Sequence, residues 1–177
     1  MEQLGVSRTP IREALRRLEQ ERLIEDTGKG SRVLGITEED LQDIMNIRER
    51  IEGLAAYYAA KNINPESLKE LTHIVDLQEF YFSKQDKEHL RQVDDAFHDM
   101  ICVMSKRTVI ADTLIPLMRK TRRYRRVAID NWERTTDTMN QHKKLYEAIA
   151  AGDADLAQEL ATAHIVHSKR HLIEGDE

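Results

Sequence analysis

Asp94 and His98 stand four residues apart in a segment that is predicted to be helical. Side chains at i and i+4 lie on one helix face with Cβ atoms about 5–6 Å apart, so this carboxylate and imidazole can bind the same metal ion. His142 and His164 lie in two later segments that are also predicted to be helical. Three imidazoles and one carboxylate suit a divalent ion such as Zn²⁺, Ni²⁺ or Mn²⁺, with room in the coordination shell for water or a bound carboxylate.

The other reading of these residues is that they are ordinary scattered histidines. The chain has seven histidines, and such residues usually lie at half-exposed surfaces, as we expect for His73 and His89. His167 and His171 follow His164 at i+3 and i+7, so on spacing alone any of the three can be the ligand. Spacing therefore allows a metal site but does not select it.

The segments that carry these residues belong to a long helical region. From Thr37 onward we find no strand pattern, internal repeat or low-complexity linker. Thr37, Asn64 followed by Pro65, and Asp86 are helix start signals, and Gly152 is a stop signal. Pro116 predicts a bend in the helix that contains it. The predicted helices span 37 to about 61, 65 onward, 86 to about 104, 107–130, about 137–151, and 153 onward.

The first 36 residues have a different pattern. Ser7 is a good N-cap for a helix over residues 7–22, in which Ile11, Leu15 and Leu18 form one apolar stripe. Two short strand-like runs, 23–24 and 31–34, flank a turn that contains glycine, which predicts a small hairpin. Because no flexible spacer lies near residue 36, the two parts are expected to be closely coupled.

The polar side of the first helix offers donors for DNA. A helix in the major groove needs one face to pack on its own domain and another to reach phosphates and base edges. Arg8 and Arg12 can contact guanine edges or phosphates, and Thr9 can contact a base or a phosphate. Lys29 and Arg32 on the hairpin are placed to contact the DNA backbone or the minor groove. An ordinary surface helix with arginines on its solvent-exposed face is an equally good interpretation of the spacing.

Composition limits the classes of protein that remain. Cys102 is the only cysteine in 177 residues, so an internal disulfide and a cysteine zinc site are excluded. No apolar run approaches the roughly 20 residues that span a bilayer. The N-terminus lacks the basic and then apolar pattern of a signal peptide, so a cytoplasmic location is expected. A net charge of −5 argues against a chain that coats nucleic acid, but the first 18 residues carry four arginines against two glutamates.

The segment LGVSRTPIREALRRL over residues 4–18 resembles the recognition region of GntR-family winged-helix regulators, and the hairpin resembles their wing. This resemblance implies a partial winged helix-turn-helix domain over residues 1–36. The first helix and most of the second helix of that domain are expected to precede Met1, so the domain is expected to be truncated. The resemblance also implies that six residues contact operator DNA: Arg8, Thr9, Arg12, Gly28, Lys29 and Gly30.

The segment DDAFH over residues 94–98 resembles the D-x-x-F-H signature of the FCD sensor domain of FadR-type GntR regulators. HKKLYEAI over 142–149 and the later Gly-Asp and His-Ile pairs resemble further parts of that signature, and Arg48 with Glu52 fits its R-x-x-x-E. The resemblance implies an antiparallel bundle of six or seven helices over residues 37–177, a homodimer, and an effector bound beside the metal. It assigns the metal ligands as Asp94, His98, His142 and His164.

The function implied is that of a DNA-binding transcription regulator, with repression expected, and not of an enzyme. The metal-centred helical domain would sense a small carboxylate. Arg48 is the candidate for a second contact with it, through a charge-assisted hydrogen bond. One alternative is a metalloenzyme, since such a ligand set can activate water, although no convincing general base is present. A helical dimerisation module that has lost DNA binding is the other alternative.

Overall fold

A computed structural model describes residues 7–20, 23–129 and 131–173, and for 123–128 it describes the backbone alone. The chain divides into two compact units, Met1–Thr37 and Glu38–Glu177. Helices account for most of the described residues of the chain, so the expectation of a mainly α protein is confirmed. None of the described helices is both long and apolar enough to cross a membrane.

The first unit contains a helix followed by a hairpin, as predicted. Helix α1 spans Arg8–Gln20, and the predicted helix end at 21–22 lies outside the described residues. Strands β1 (Ile24–Asp26) and β2 (Ser31–Val33) pair antiparallel. The turn between them requires glycine at position 28, where φ is 74°, a value that glycine adopts without steric cost. The Asp26 carboxylate accepts a hydrogen bond from the backbone N–H of Gly28 at 2.7 Å.

The second unit is a bundle of six helices within its described residues, in agreement with the predicted six or seven. In chain order the helices are α2 (Glu38–Lys61), α3 (Pro65–Ser83), α4 (Lys87–Met104), α5 (Thr108–Ala128), α6 (Trp132–Ala150) and α7 (Ala154–Ile173).

Most boundaries of these helices follow from local capping chemistry. Asn64 and Ser67 form a reciprocal capping box at the start of α3, and the Asp86 carboxylate caps α4 by accepting from the backbone of His89. These bonds satisfy backbone donors that the first turn of a helix leaves without partners. Gly152 follows α6 with φ of 71°, the conformation that commonly ends a helix.

The predicted start of α6 near Asp137 is wrong, because the helix begins at Trp132. Asn131 is the N-cap, and its side chain accepts from the backbone N–H of Arg134 at 3.2 Å. The hydroxyl of Thr135 donates to the carbonyl of Asn131 at 2.8 Å. Threonine has low intrinsic helix propensity, but this bond to the preceding turn satisfies its hydroxyl inside the helix.

The core of the bundle lies around α2, whose buried face carries small residues, including Ala55, Ala56, Ala59 and Ala60. Phe97 of α4 and Leu145 of α6 belong to the same apolar cluster. Small side chains allow neighbouring helices to approach closely, and burial of the larger apolar side chains stabilises the bundle. The core therefore fixes α4, α6 and α7 around α2, and these three helices carry the predicted metal ligands.

Gly53 lies where α2 packs tightly against α7. A Cβ atom at this position would lie 3.1 Å from the carbonyl oxygen of Gln158 and would also clash with the Thr162 hydroxyl. Overpacking of this kind costs about 1–3 kcal/mol, more than the gain of up to about 1 kcal/mol from alanine inside a helix. We therefore expect Gly53→Ala to lower the free energy of unfolding by about 1 kcal/mol, measured by urea unfolding monitored by circular dichroism.

Gly35→Ala is the matched control, because nothing lies within 4 Å of a Cβ atom at position 35. We expect this variant to unfold like the wild type. A Gly53→Ala protein as stable as the wild type would contradict the close packing of α2 against α7.

Candidate metal centre

The structure brings three of the four predicted ligands together. His98 comes from α4, His142 from α6 and His164 from α7, and all three are buried. Their candidate ligand atoms lie within 4.8 Å of one another, and the ring centroids are 4.8–5.3 Å apart. Three imidazoles from three separate helices therefore converge at one point inside the bundle.

The fourth predicted ligand, Asp94, lies beside this three-histidine cluster. It is 4% exposed, and its Oδ1 atom is 4.0 Å from Nδ1 of His142. The i, i+4 relation on α4 places its carboxylate on the same side of the helix as His98, as expected for a helix. The centre thus combines three imidazole nitrogens with a nearby carboxylate, which can supply negative charge.

Polar side chains that the sequence analysis did not single out hold the imidazoles in place. Oε1 of Gln141 accepts a hydrogen bond from Nδ1 of His164 at 2.8 Å, and the Gln78 amide lies 3.2 Å from Nδ1 of His142. A partner that accepts from Nδ1, as Gln141 does from His164, orients the imidazole and leaves Nε2 as its ligand atom. No motif or spacing indicated these two glutamines, because the contacts join helices that are distant in sequence.

Glu52 is a third neighbour of the cluster. Its Oε2 atom lies 3.8 Å from Nδ1 of His98, and the residue is buried. The sequence analysis noted Glu52 as part of a motif but assigned it no role. In metal sites a carboxylate commonly lies next to the imidazole nitrogen that does not bind the ion, where it raises the basicity of the histidine ligand.

The other histidines lie outside the three-histidine cluster. His167 and His171 pack against each other with ring centroids 4.5 Å apart. Burial lowers the pKa of His167 below its usual value, and the neighbouring His171 lowers it further. His89 is exposed and pairs with Asp86 at 2.7 Å, and His73 is exposed on α3. The structure therefore places His164, and neither His167 nor His171, beside His98 and His142.

Arg48, the predicted effector ligand, lies in a buried ion pair. Its Nε atom is 2.5 Å from Oε1 of Glu52, and its Nη1 atom donates to the Thr121 hydroxyl at 3.0 Å. The guanidinium is only 1% exposed. In the described part of the chain, it is not among the residues that line the cavity beside the cluster. A direct contact of Arg48 with an effector stays a prediction.

A cavity of about 40 Å³ adjoins the cluster. Asp94, His98 and His164 line it. Polar residues of α6 and α7 line it as well, among them Arg134, Thr138, His167 and Ser168. The apolar residues Ile129 and Leu172 also contribute, so the space next to the imidazoles is bordered by both polar and apolar side chains.

The predicted DNA-contacting residues lie at the surface of the first unit. Arg8, Thr9 and Arg12 are exposed on α1. The other three, Gly28, Lys29 and Gly30, are exposed in the turn between β1 and β2. Ion pairing of Arg32 with Glu25 at 2.5 Å joins the two strands. The cations needed to contact phosphate are thus accessible to solvent on both the helix and the hairpin.

A helix followed by a hairpin, joined to a helical bundle with a buried histidine cluster, is the arrangement of a DNA-binding module with a sensor domain. Family models match both parts: "Bacterial regulatory proteins, gntR family" over residues 1–33 and "FCD domain" over residues 43–167. The chain belongs to the GntR family of transcription regulators that carry an FCD domain.

Similar proteins agree with this assignment. YdhC of Bacillus subtilis, an uncharacterized HTH-type transcriptional regulator, is 26% identical over 95% of this chain and 76% of its own length. RspR of Escherichia coli, an HTH-type transcriptional repressor, is 25% identical over 91% of this chain and 71% of its own length. The solved structure of E. coli McbR/YncC has the same fold, with a TM-score of 0.85, 23% identity, and coverage of 98% of this chain and 83% of that one.

The family and these relatives are transcription regulators and not enzymes. The metalloenzyme and the bare dimerisation module are therefore not favoured. The protein is a DNA-binding regulator, as the sequence analysis predicted.

Proposed function

We propose that this protein is a cytoplasmic repressor whose helical unit holds a divalent metal ion and senses a small carboxylate. The observation that carries the proposal is the convergence of His98, His142 and His164, whose candidate ligand atoms lie within 4.8 Å of one another inside the bundle. Several related proteins, including RspR, are named as repressors, which supports the direction of regulation.

The donor set fits such an ion. His98, His142 and His164 would hold it through imidazole nitrogens, and Asp94 would supply a carboxylate oxygen. Zn²⁺, Ni²⁺ and Mn²⁺ all accept this combination. When bound, the ion supplies a positive charge to which a carboxylate effector binds directly. Gln141, Gln78 and Glu52 would then serve to orient the three imidazoles.

The exposed residues of the first unit support operator binding. Arg8 and Arg12 on α1 and Lys29 in the hairpin turn offer charged donors for phosphates and base edges. We propose that two copies of the chain act as a homodimer, since two recognition helices can then meet half-sites about 34 Å apart on DNA.

Effector binding would control DNA binding through a difference in affinity between two arrangements of the sensor. A ligand changes operator affinity only if it binds one arrangement more tightly than the other. Only four residues, 34–37, separate β2 from α2, so the connection between the two parts of the chain is short. An effector that left operator affinity unchanged would contradict this part of the proposal.

The decisive experiment measures metal content and DNA binding in the same preparations. Purified protein is analysed by inductively coupled plasma mass spectrometry, and gel shifts use DNA from upstream of its own gene. We expect wild type to contain about one divalent ion per chain, and His142→Ala to contain almost none. His73→Ala is the matched control, because His73 is exposed and lies outside the cluster, and it should retain the ion.

Arg12→Ala tests the other half of the proposal. This variant should keep the metal ion and lose affinity for the DNA fragment, because one charged contact to phosphate or base is removed. Wild-type protein without a divalent ion would overturn the metal site. Equal DNA affinity of wild type and Arg12→Ala would overturn the assignment of α1 as the helix that contacts DNA.

A further inference from the structure

We propose that His167 and His171 form a second metal site, which binds a divalent transition-metal ion near the surface of α7. Among the described residues of α7, His164 alone joins the three-histidine cluster, so neither residue of this pair has a role in the function proposed above. The ions expected are Zn²⁺, Ni²⁺ and Cu²⁺, because imidazole nitrogen suits these ions and carboxylate oxygen suits Mg²⁺.

The first observation is the spacing of the two residues on one helix. His167 and His171 are four residues apart within α7. Side chains at i and i+4 lie on one helix face with Cβ atoms about 5–6 Å apart. Two histidines at this spacing can bind one Zn²⁺ ion, as they do on the helix of metalloproteases that carry the His-Glu-x-x-His motif.

The second observation is the distance between the two rings. Their centroids are 4.5 Å apart, and their planes meet at 72°. The rings of the three-histidine cluster are 4.8–5.3 Å apart, and two of its three ring pairs are also edge to face. The pair on α7 therefore has a ring spacing similar to that of the buried cluster, which suits two nitrogens that share one ion.

The third observation concerns the ring nitrogens of His167. Its Nε2 atom is buried and has no hydrogen-bond partner among the described residues. Most buried polar atoms in proteins have a partner, and an ion bound between the two rings would supply one. Burial, and after it the charge of His171, lowers the pKa of His167 below its usual value. The ring is therefore held in the neutral form, which is the form that binds metal.

Access from solvent distinguishes this pair from the buried cluster. His171 is half-exposed. His167 lines a surface groove along α7 that also carries the carboxylates of Asp155 and Glu159, and it lines the small cavity beside the cluster as well. An ion can therefore reach the pair without first entering the three-histidine cluster.

Nearby charges indicate that the ion is held weakly. After burial and His171, three charged groups act on the pKa of His167: Asp137 raises it, and Arg134 and Arg170 lower it. Asp137 is exposed on α6, so its carboxylate is available to balance the charge of an ion. The two arginines oppose a cation, and one helix supplies only two imidazoles. The pair should therefore fill only above the Zn²⁺ concentrations that saturate the buried cluster, and it should lose its ion during purification.

The test counts Zn²⁺ ions per chain by equilibrium dialysis against increasing Zn²⁺, followed by inductively coupled plasma mass spectrometry. We expect wild type to take up one ion more than either His167→Ala or His171→Ala, with circular dichroism unchanged because alanine favours a helix. His89→Ala is the matched control, since His89 is an exposed histidine that pairs with Asp86, and it should bind as many ions as wild type. Mg²⁺ in place of Zn²⁺ should not occupy the pair.

A His142→Ala background isolates the pair, because it removes one imidazole of the cluster. At high Zn²⁺ concentration this variant should still bind the ion of the pair, and adding His171→Ala should abolish that binding. Cu²⁺ bound to the His142→Ala protein should show coupling to two imidazole nitrogens by electron paramagnetic resonance. Coupling to one nitrogen or none would contradict a shared ion.

The outcomes separate this inference from the proposed function. A wild type that binds no more Zn²⁺ than His171→Ala overturns the second site, and an additional ion that survives in His167→Ala overturns it too. If wild type lacks the ion of the three-histidine cluster but still loses one ion on His171→Ala, the proposed function fails and the second site stands.

Discussion

Replacing Arg48 with methionine is expected to lower the free energy of unfolding of the helical unit by about 3–5 kcal/mol. The substitution leaves Glu52, which is 7% exposed, without the guanidinium that lies 2.5 Å from its carboxylate. The Thr121 hydroxyl also loses the hydrogen bond that it accepts from Arg48. A buried charge without a counter-charge is far more costly than the loss of the pair as a whole. Urea unfolding of metal-free protein, followed by circular dichroism, measures the change.

Two further variants make this result specific. Arg48→Met combined with Glu52→Leu removes both charges and should recover most of the lost stability, because hydrophobic replacement of a buried pair is often neutral. Arg50→Met changes an exposed arginine two residues away on α2 and should have little effect. If Arg48→Met unfolds like the wild type, the guanidinium does not stabilise the bundle, and a primary role in effector binding gains support.

Removal of the proposed metal ion is expected to destabilise the helical unit by about 2.7 kcal/mol, relative to protein held at a metal concentration 100-fold above the dissociation constant. The ion binds the folded arrangement of His98, His142 and His164, which three separate helices bring together. The unfolded chain does not preorganise this site, so binding energy appears as folding energy. Thermal unfolding with and without a chelator and added Zn²⁺ measures the difference.

His142→Ala should abolish the response to both chelator and Zn²⁺, since it removes one of the three clustered imidazoles. His89→Ala is the matched control because His89 is exposed and pairs with Asp86, and it should respond like the wild type. A wild-type protein whose melting temperature ignores the chelator and Zn²⁺ would show that the cluster stabilises the bundle without an ion.

Local sequence signals predicted most of the fold because helix ends depend on nearby residues. Asn64, Asp86 and Gly152 marked the ends of helices, and each acts within one turn of its own position. The start of α6 was placed five residues too late, at Asp137 instead of Trp132. Threonine has low intrinsic helix propensity, and the bonds that the hydroxyls of this segment make to preceding carbonyls depend on the helix being formed.

The candidate site was predicted only in part for a related reason. The i, i+4 spacing of Asp94 and His98 is a property of one helix, so the sequence alone relates them. Spacing on α7 left His164, His167 and His171 equivalent. Only the packing of α7 against the rest of the bundle determines which of the three imidazoles faces His98 and His142.

The sequence by itself determined the order and type of the elements, their principal caps and the residue types available for metal and DNA, because these depend on neighbours within a few positions. The tertiary structure decided which distant side chains meet. It brought the Thr121 hydroxyl of α5 to the Arg48 guanidinium of α2, and it placed Arg134 at the same cavity as His98 and His164. Such contacts join residues that are far apart in the chain, and their partners are set by how the helices pack and not by local propensity.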